Sequence, residues 1–151
     1  MNATAAPLPR EREKESQPDD RATLLAFAEQ ALAEWRLPPG LRANLMLALD
    51  EALTNVAMYA YPAGCPGPIR VRLSRVGGAL ELEIVDRGCP FDPTRHPPPD
   101  LAAPLERRPV GGLGIHLMRR LVSGMRYRRH GGENHLVLVC DWDASGGEAE
   151  P

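Results

Sequence analysis

Asp86-Arg-Gly-Cys-Pro-Phe-Asp92 is the stretch that decides the fold of this sequence. The residues before it alternate apolar and polar side chains, which places Asp86 at the C-terminal end of a predicted strand. A carboxylate there can accept a hydrogen bond from the exocyclic amine of a base, and Gly88 lets the base approach the backbone. An isolated Asp-x-Gly is also explained by a turn in which the aspartate accepts from nearby amides.

A glycine-rich turn, Gly111-Gly-Leu-Gly-Ile115, follows at the start of a predicted helix. The free N–H groups and positive dipole end of a helix favour an anion, so Gly112, Leu113 and Gly114 are candidate phosphate-binding residues. No Lys-Ser or Lys-Thr follows, which excludes a Walker A loop, and no strand is predicted directly before the turn, which argues against a Rossmann turn. Taken alone, these glycines are equally well explained by capping and packing.

Glu51 and Asn55 lie four positions apart in Glu51-Ala-Leu-Thr-Asn55, and a helix brings them to one side. There the carboxylate can deprotonate a hydroxyl while the amide oxygen ligates Mg²⁺, a cation that prefers oxygen ligands. A solvated helix face is the alternative, since this spacing is common. Together, the three motifs predict a nucleotide pocket that divides base recognition, phosphate binding, and metal and nucleophile chemistry among them.

Helical periodicity predicts two helices upstream of Asp86. The first begins after Asp19-Asp20 and ends at Pro38-Pro39-Gly40, and the second runs from Leu41 to Ala60. Residues 1–18 are charged and Pro-rich without apolar periodicity, so we expect a disordered tail there. One domain is predicted over residues 19–142, followed by a flexible C-terminal tail at 143–151.

Two pairs of strands are predicted, one on either side of Gly77-Gly78 and one around Gly131-Gly132. A short helix begins at the glycine-rich turn. The segment from Pro90 to Pro109 is rich in proline, fits neither regular element and is predicted to be a functional lid. This order predicts an α+β fold, a two-layer sandwich with helices packed on one face of a mixed, mostly antiparallel sheet.

The bulk composition narrows the classes of partner. The chain has 151 residues, a formal net charge of -2 and a sequence pI of about 6.1, so nothing favours nucleic acid or an anionic membrane surface. The apolar runs are shorter than the roughly 18 residues that span a bilayer, and we expect a cytoplasmic protein. The three cysteines are widely spaced, without a Cys-x-x-Cys pair, and are expected to be reduced.

The three motifs, in this order and on these elements, resemble the ATP-binding (Bergerat) fold of the GHKL superfamily. That superfamily groups gyrase, the large heat-shock chaperone, histidine kinases and mismatch-repair ATPases. The segments Leu47 to Asn55, Val85 to Pro93 and Gly111 to Val122 look most like the small bacterial anti-sigma-factor serine/threonine kinases. The resemblance covers about Ala22 to Trp142.

The resemblance implies ATP and Mg²⁺ as cofactors and assigns roles to individual residues. Glu51 is the implied general base toward a partner serine, Asn55 the Mg²⁺ ligand and Asp86 the adenine-recognition residue. The residues Gly88, Gly112 and Gly114 are implied to shape the pocket. The implied partners are a sigma factor and a STAS-domain anti-anti-sigma protein that accepts phosphate, and a homodimer is compatible with the same analogy.

Some positions depart from the family pattern. Relatives often carry a histidine after the asparagine, where this chain has Met58-Tyr59, and the predicted lid is unusually rich in proline. Arg107 and Arg108 can reach phosphates from that lid as bidentate donors, although a solvated loop is the favoured interpretation of both. The alternative function is a module that binds ATP only to set its shape and sequesters a partner without phosphorylating it.

Overall fold

The computed structural model describes residues 11–16, 20–62, 65, 67–98, 100, 102–104, 106 and 112–142. Within these ranges the chain forms five strands, three α-helices, one π-helical turn and one 3₁₀ turn. In chain order they are β1 (Glu11–Ser16), α1 (Arg21–Glu34), α2 (Pro39–Asn55), the π-turn (Val56–Ala60), β2 (Ile69–Val76), β3 (Ala79–Asp86), the 3₁₀ turn (Pro93–Arg95), α3 (Gly112–Leu121), β4 (Gly124–His130) and β5 (Glu133–Asp141).

The strands form one sheet in the order β1-β2-β3-β5-β4. Each pairing between the described strands is antiparallel, whereas a mixed sheet was predicted. The two predicted hairpins are confirmed, and their turns need glycine because the φ angles of Gly77, Gly131 and Gly132 are +58°, +58° and +76°. The predicted α+β sandwich is confirmed, with the helices on one face of the sheet.

Alternation along the strands explains why only one face carries the core. The buried apolar residues of β2, together with Leu80, Leu82 and Ile84 of β3, lie at every second position and pack against the apolar faces of α1 and α2. The fully buried members include Leu24, Leu32, Leu45, Leu49, Leu53, Ile69, Leu73, Leu82 and Ile84. No helix among the described residues combines the length and hydropathy that a bilayer crossing requires.

Helix α2 begins two residues earlier than predicted, with Pro39 in its first turn, where a missing N–H group costs nothing. After Asn55 the helix continues as the π-turn, which buries Val56 and Ala60 and leaves Tyr59 exposed. Such π-helical turns are rare in proteins, and those that occur are often found at functional sites. The turn ends at Tyr61, whose extended backbone fits the proline that follows.

Strand β1 corrects, for residues 11–16, the prediction that residues 1–18 form a disordered tail. Residues Glu11–Ser16 pair with β2, and the contacts between their side chains are ionic. Arg70 lies 3.7 Å from Glu13 and 4.0 Å from Glu15, and Arg12 donates to Glu34 of α1 at 2.6 Å. Apolar periodicity cannot reveal an edge strand held in this way. Residues 1–10, 17–19 and 143–151 lie outside the described residues.

The outer face of the sheet, opposite the helices, carries a polar cluster in which Glu83 and His135 are buried and Arg72 is partly exposed. Glu83 and His135 are each 6% exposed, and His135 Nδ1 lies 2.9 Å from Glu83 Oε1. Arg72 donates to the other carboxylate oxygen of Glu83. Burial alone would raise the pKa of Glu83, but the hydrogen bonds from His135 and Arg72 lower it below its ordinary value.

Substituting Glu83→Gln should lower the free energy of unfolding by about 1–2 kcal/mol at neutral pH, because the amide forms weaker hydrogen bonds than the carboxylate. The folded-state pKa of Glu83 is depressed, so its contribution is present above the unfolded pKa and is lost as the pH falls through the folded value. Urea unfolding at neutral pH and at about pH 3 measures both effects. Glu29→Gln, at an exposed position of α1, is the control. Equal destabilisation at both pH values would contradict the assignment.

Candidate functional site

Glu51 and Asn55 of α2 face the first turn of α3. A Cβ atom added to Gly114 would lie 2.5 Å from Glu51 Oε2 and 3.9 Å from Asn55 Oδ1. A side chain at position 114 would therefore displace the Glu51 carboxylate. The fold thus brings together two motifs that lie far apart in the sequence, and the lack of a side chain at Gly114 leaves the space that the Glu51 carboxylate occupies.

Asp86 is the last residue of β3 and is 6% exposed. Its Oδ1 atom accepts hydrogen bonds from the Gly88 backbone at 2.9 Å and from Asn134 Nδ2 at 2.8 Å. Burial raises the pKa of Asp86 above its ordinary value, although these two hydrogen bonds oppose the shift. Among the described residues, no hydrogen bond reaches Oδ2, so the second oxygen is available to a ligand.

The hydrogen bond from the Gly88 backbone to Asp86 is the turn interaction that the sequence offered as an alternative to base recognition. This turn is compatible with the predicted recognition role, because the turn uses only Oδ1 of the carboxylate. Gly88 itself packs against the end of the π-turn: an added Cβ would lie 2.2 Å from the carbonyl oxygen of Ala60. Cys89 donates its backbone N–H to the same carbonyl at 2.6 Å.

A cleft lies between the end of α2, the π-turn and strands β3 and β5, with Asn55, Asp86 and Asn134 in its lining. The rings of Tyr59 and Phe91 also line it, with their centroids 6.2 Å apart. Its volume of about 30 Å³ is far below the roughly 300 Å³ of a typical small-molecule pocket. A purine therefore enters only if lining side chains move. The larger cavity, of about 410 Å³, lies on the outer face of the sheet, away from the motif residues.

The first turn of α3 contains the other predicted phosphate-binding residues. Gly112 is buried, and a Cβ added there would lie 3.5 Å from His96 Nε2, which is an ordinary contact. Leu113 points outward and is 53% exposed. Gly111, Arg107 and Arg108 lie outside the described residues, so their predicted roles remain predictions.

One residue of α3 that the sequence did not single out holds the start of the predicted lid. The Arg119 guanidinium donates to the carbonyl oxygens of Pro93, Thr94 and His96 at 3.0, 3.0 and 2.7 Å. No local motif signals this contact, because donor and acceptors are more than 20 positions apart. The rest of the predicted lid is described only in part.

Asn134 is a second residue at the site that the sequence motifs did not identify. It is buried at an inward position of β5, where its neighbours on that face, Leu136 and Leu138, are apolar. A polar side chain at a core-facing position needs a buried partner, and that break in the alternation is the signal the sequence offered. The partner, Asp86, lies 48 positions away in the sequence.

The residues around Asn55 fit a magnesium ion held jointly with phosphates. Its side-chain nitrogen is buried and has no hydrogen-bond partner among the described residues, so the amide is free to reorient toward a ligand. The described residues contain no cluster of three or more histidine, cysteine or acidic ligands. A magnesium ion bound by one or two protein oxygens, phosphates and water does not need one.

The buried carboxylate, the paired Glu51 and Asn55, and the glycine-bounded start of α3 agree with one family of nucleotide-binding domains. The chain belongs to the histidine kinase-like ATPase domain family, whose pattern matches residues 15–140.

Two curated relatives indicate which class of protein within this family the chain resembles. The chain is 39% identical over 99 residues to the serine/threonine-protein kinase BtrW of Bordetella bronchiseptica, a match that covers 66% of this chain and 70% of BtrW. It is 28% identical over 98 residues to the serine-protein kinase RsbW of Bacillus cereus, covering 62% of this chain and 61% of RsbW. The class predicted from the motifs, a protein serine/threonine kinase, agrees with both names.

A solved structure supports the fold. The crystal structure of the RsbU and RsbW domains of a Mycobacterium tuberculosis protein superposes with a TM-score of 0.64 at 20% identity. The match covers 90% of this chain and 33% of the other. At this identity the likeness concerns the fold alone, and it confirms the predicted two-layer architecture.

Gly88→Ala should lower the free energy of unfolding by about 1–3 kcal/mol, because the added methyl group meets the Ala60 carbonyl and has no room to relax. Gly40→Ala is the matched control: nothing lies within 4 Å of its added Cβ, and alanine is favoured in a helix. That variant should be unchanged or more stable. Thermal unfolding of both checks the prediction, and equal stability of the two variants would show that the loop does not pack closely on the π-turn.

Proposed function

We propose that this protein is an ATP-dependent serine/threonine kinase of the anti-sigma type. It phosphorylates a STAS-type anti-anti-sigma partner and sequesters a sigma factor. The observation that carries the proposal is the approach of Glu51 to Gly114, because it sets a carboxylate base beside the helix end that would hold the phosphates. Similarity to BtrW and RsbW supports the reaction class.

Each motif supplies one part of the ATP site. Asp86 accepts from the adenine amino group through Oδ2, and Gly88 keeps the neighbouring backbone clear of the base. Gly112, Leu113 and Gly114 direct their backbone N–H groups at the phosphates from the start of α3. The ATP molecule therefore lies from the cleft between the π-turn and β5 toward Glu51.

Glu51 acts as the general base. Its carboxylate takes the proton from the serine or threonine hydroxyl as that oxygen attacks the γ-phosphorus, and the bond from phosphorus to the bridging oxygen breaks to release ADP. Asn55 would hold Mg²⁺ through its side-chain oxygen. When bound, that ion neutralises phosphate charge. Most of the rate enhancement comes from positioning, since Glu51 and the start of α3 are fixed on rigid helices.

The surface beside the site favours a protein substrate over a small molecule. Leu47 and Met58 of the α2 and π-turn segment and Leu113 of α3 are large apolar side chains that are 43%, 58% and 53% exposed. The three residues belong to the helical elements that also carry Glu51, Asn55 and Gly114, so a protein partner that binds at the site can cover them. The sigma-factor and STAS-domain partners and a homodimer come from the family resemblance, whereas a cytoplasmic location comes from the short apolar runs of the sequence.

Glu51→Gln tests the kinase directly. The amide keeps the size of the side chain but cannot accept the proton, so phosphate transfer should fall about 100-fold or more while ATP still binds. The measurement combines ATP titration with label transfer from γ-labelled ATP to candidate STAS-domain proteins of the same organism. Glu29→Gln serves as the control for an equal change of charge.

The same experiment distinguishes the alternative function. If the unmodified protein binds such a partner in an ATP-dependent way and transfers no label, it is an ATP-gated binding module and not a kinase. If Glu51→Gln retains full transfer, another residue is the base.

Asn55→Ala tests the metal role. In the presence of Mg²⁺, ATP affinity should fall by about tenfold or more, which corresponds to one lost charge-assisted contact. Without Mg²⁺, the weaker binding should be nearly unchanged. Calorimetric titration with and without the ion provides the comparison, and an equal loss in both conditions would make Asn55 a packing residue.

A further inference from the structure

Asn134 joins Asp86 to the loop beyond β3. Its Nδ2 atom donates to Asp86 Oδ1 at 2.8 Å and to the Cys89 carbonyl at 2.9 Å, so both hydrogens of the amide are used. Its Oδ1 atom accepts from Arg129 at 2.9 Å and from the Tyr127 hydroxyl at 2.5 Å. Every hydrogen-bonding direction of this buried amide is therefore occupied.

Arg129 fixes which way the amide points. A guanidinium only donates, so the atom facing it must be the amide oxygen, and the nitrogen must face Asp86. Arg129 also donates to the Gly88 carbonyl at 3.1 Å through the same nitrogen atom. One side chain of β4 thus holds both the amide and the loop that bounds the cleft.

The orientation of Asn134 dictates what Asp86 can offer a ligand. Asp86 Oδ1 already accepts hydrogen bonds from the Gly88 backbone N–H and from Asn134 Nδ2. Among the described residues, Oδ2 accepts no hydrogen bond, and Asp86 is one of the residues that line the cleft. If Asn134 were absent or turned over, the carboxylate would lose a donor that fixes its rotation about the Cβ–Cγ bond.

We propose that Asn134, oriented by Arg129, is the positioning residue that sets nucleotide specificity by presenting Asp86 Oδ2 to the exocyclic amine of adenine. This inference rests on the proposed ATP-binding function and adds to it a determinant outside the motifs. A residue of β4 and a residue of β5 then control a hydrogen bond made by β3.

A pair of ligands that differ only in this amine isolates the effect. Purine riboside triphosphate lacks the 6-amino group and keeps the ring, sugar and phosphates of ATP. The unmodified protein should bind ATP about tenfold or more tightly than the analogue, the value of one hydrogen bond to a charged group. In Asn134→Leu the ratio of the two dissociation constants should fall to about one to three, because Asp86 is no longer held in the productive rotation.

Arg129 supplies a second, independent variant on a more exposed side chain. Arg129→Met should reduce the ATP preference, and Arg129→Lys, which keeps a donor for the amide oxygen, should restore part of it. Asp86→Asn serves as the reference for complete loss of preference. If Asn134→Leu fails to fold, the ratios of the two dissociation constants measured for the Arg129 variants test the inference.

The outcomes separate the inference from the function on which it rests. Weaker binding of both ligands by the same factor in the variants, with the ratio unchanged, would make Asn134 and Arg129 structural residues and overturn the inference. An unmodified protein that binds ATP without preference for the amine would overturn the role of Asp86. An unmodified protein that binds neither ligand would overturn the proposed function itself.

Discussion

The burial of the Asp86 carboxylate is the constraint to which the rest of the site responds. A carboxylate removed from water is costly unless donors replace the water, and here they come from Gly88 beside it and Asn134 across the sheet. Asn134 in turn needs Arg129 and Tyr127 to satisfy its oxygen. One buried charge thus couples β3, β4 and β5 where they meet the helices, and among the described residues no hydrogen bond reaches its second oxygen.

The two faces of the sheet are stabilised by different forces. The inner face buries aliphatic side chains against α1 and α2, and that contribution depends little on salt. The outer face and the edge strand β1 are held by pairs such as Arg70 with Glu13 and Arg72 with Glu83. Exposed members of that network are screened by salt, whereas the buried Glu83 is much less so. The attachment of β1 therefore depends more on ionic strength than the core does.

Sequence periodicity and turn residues predicted the elements that are determined by residues close together in the sequence. The hairpins at Gly77 and Gly131, the two long helices and the position of Asp86 at a strand end followed from periodicity and turn chemistry. Strand β1 was missed because its partners are charges on β2, which no periodicity within residues 11–16 encodes. The chemistry of the motifs predicted that Glu51 and Gly114 share one pocket, but their close contact could not be predicted, since contacts so distant in sequence leave no local signature. Asn134 and Arg119 were missed for the same reason.

Arg119 has a geometric consequence for the segment that follows β3. By holding the carbonyls of Pro93, Thr94 and His96, it attaches that stretch to α3, the same helix that begins at Gly112. The intervening span therefore departs from and returns to one rigid body, so its end-to-end separation is independent of the sheet. Changing its length alters the closure entropy only logarithmically and leaves the strand register untouched. Insertions and deletions in this span are therefore compatible with an unchanged arrangement of α3 and the sheet.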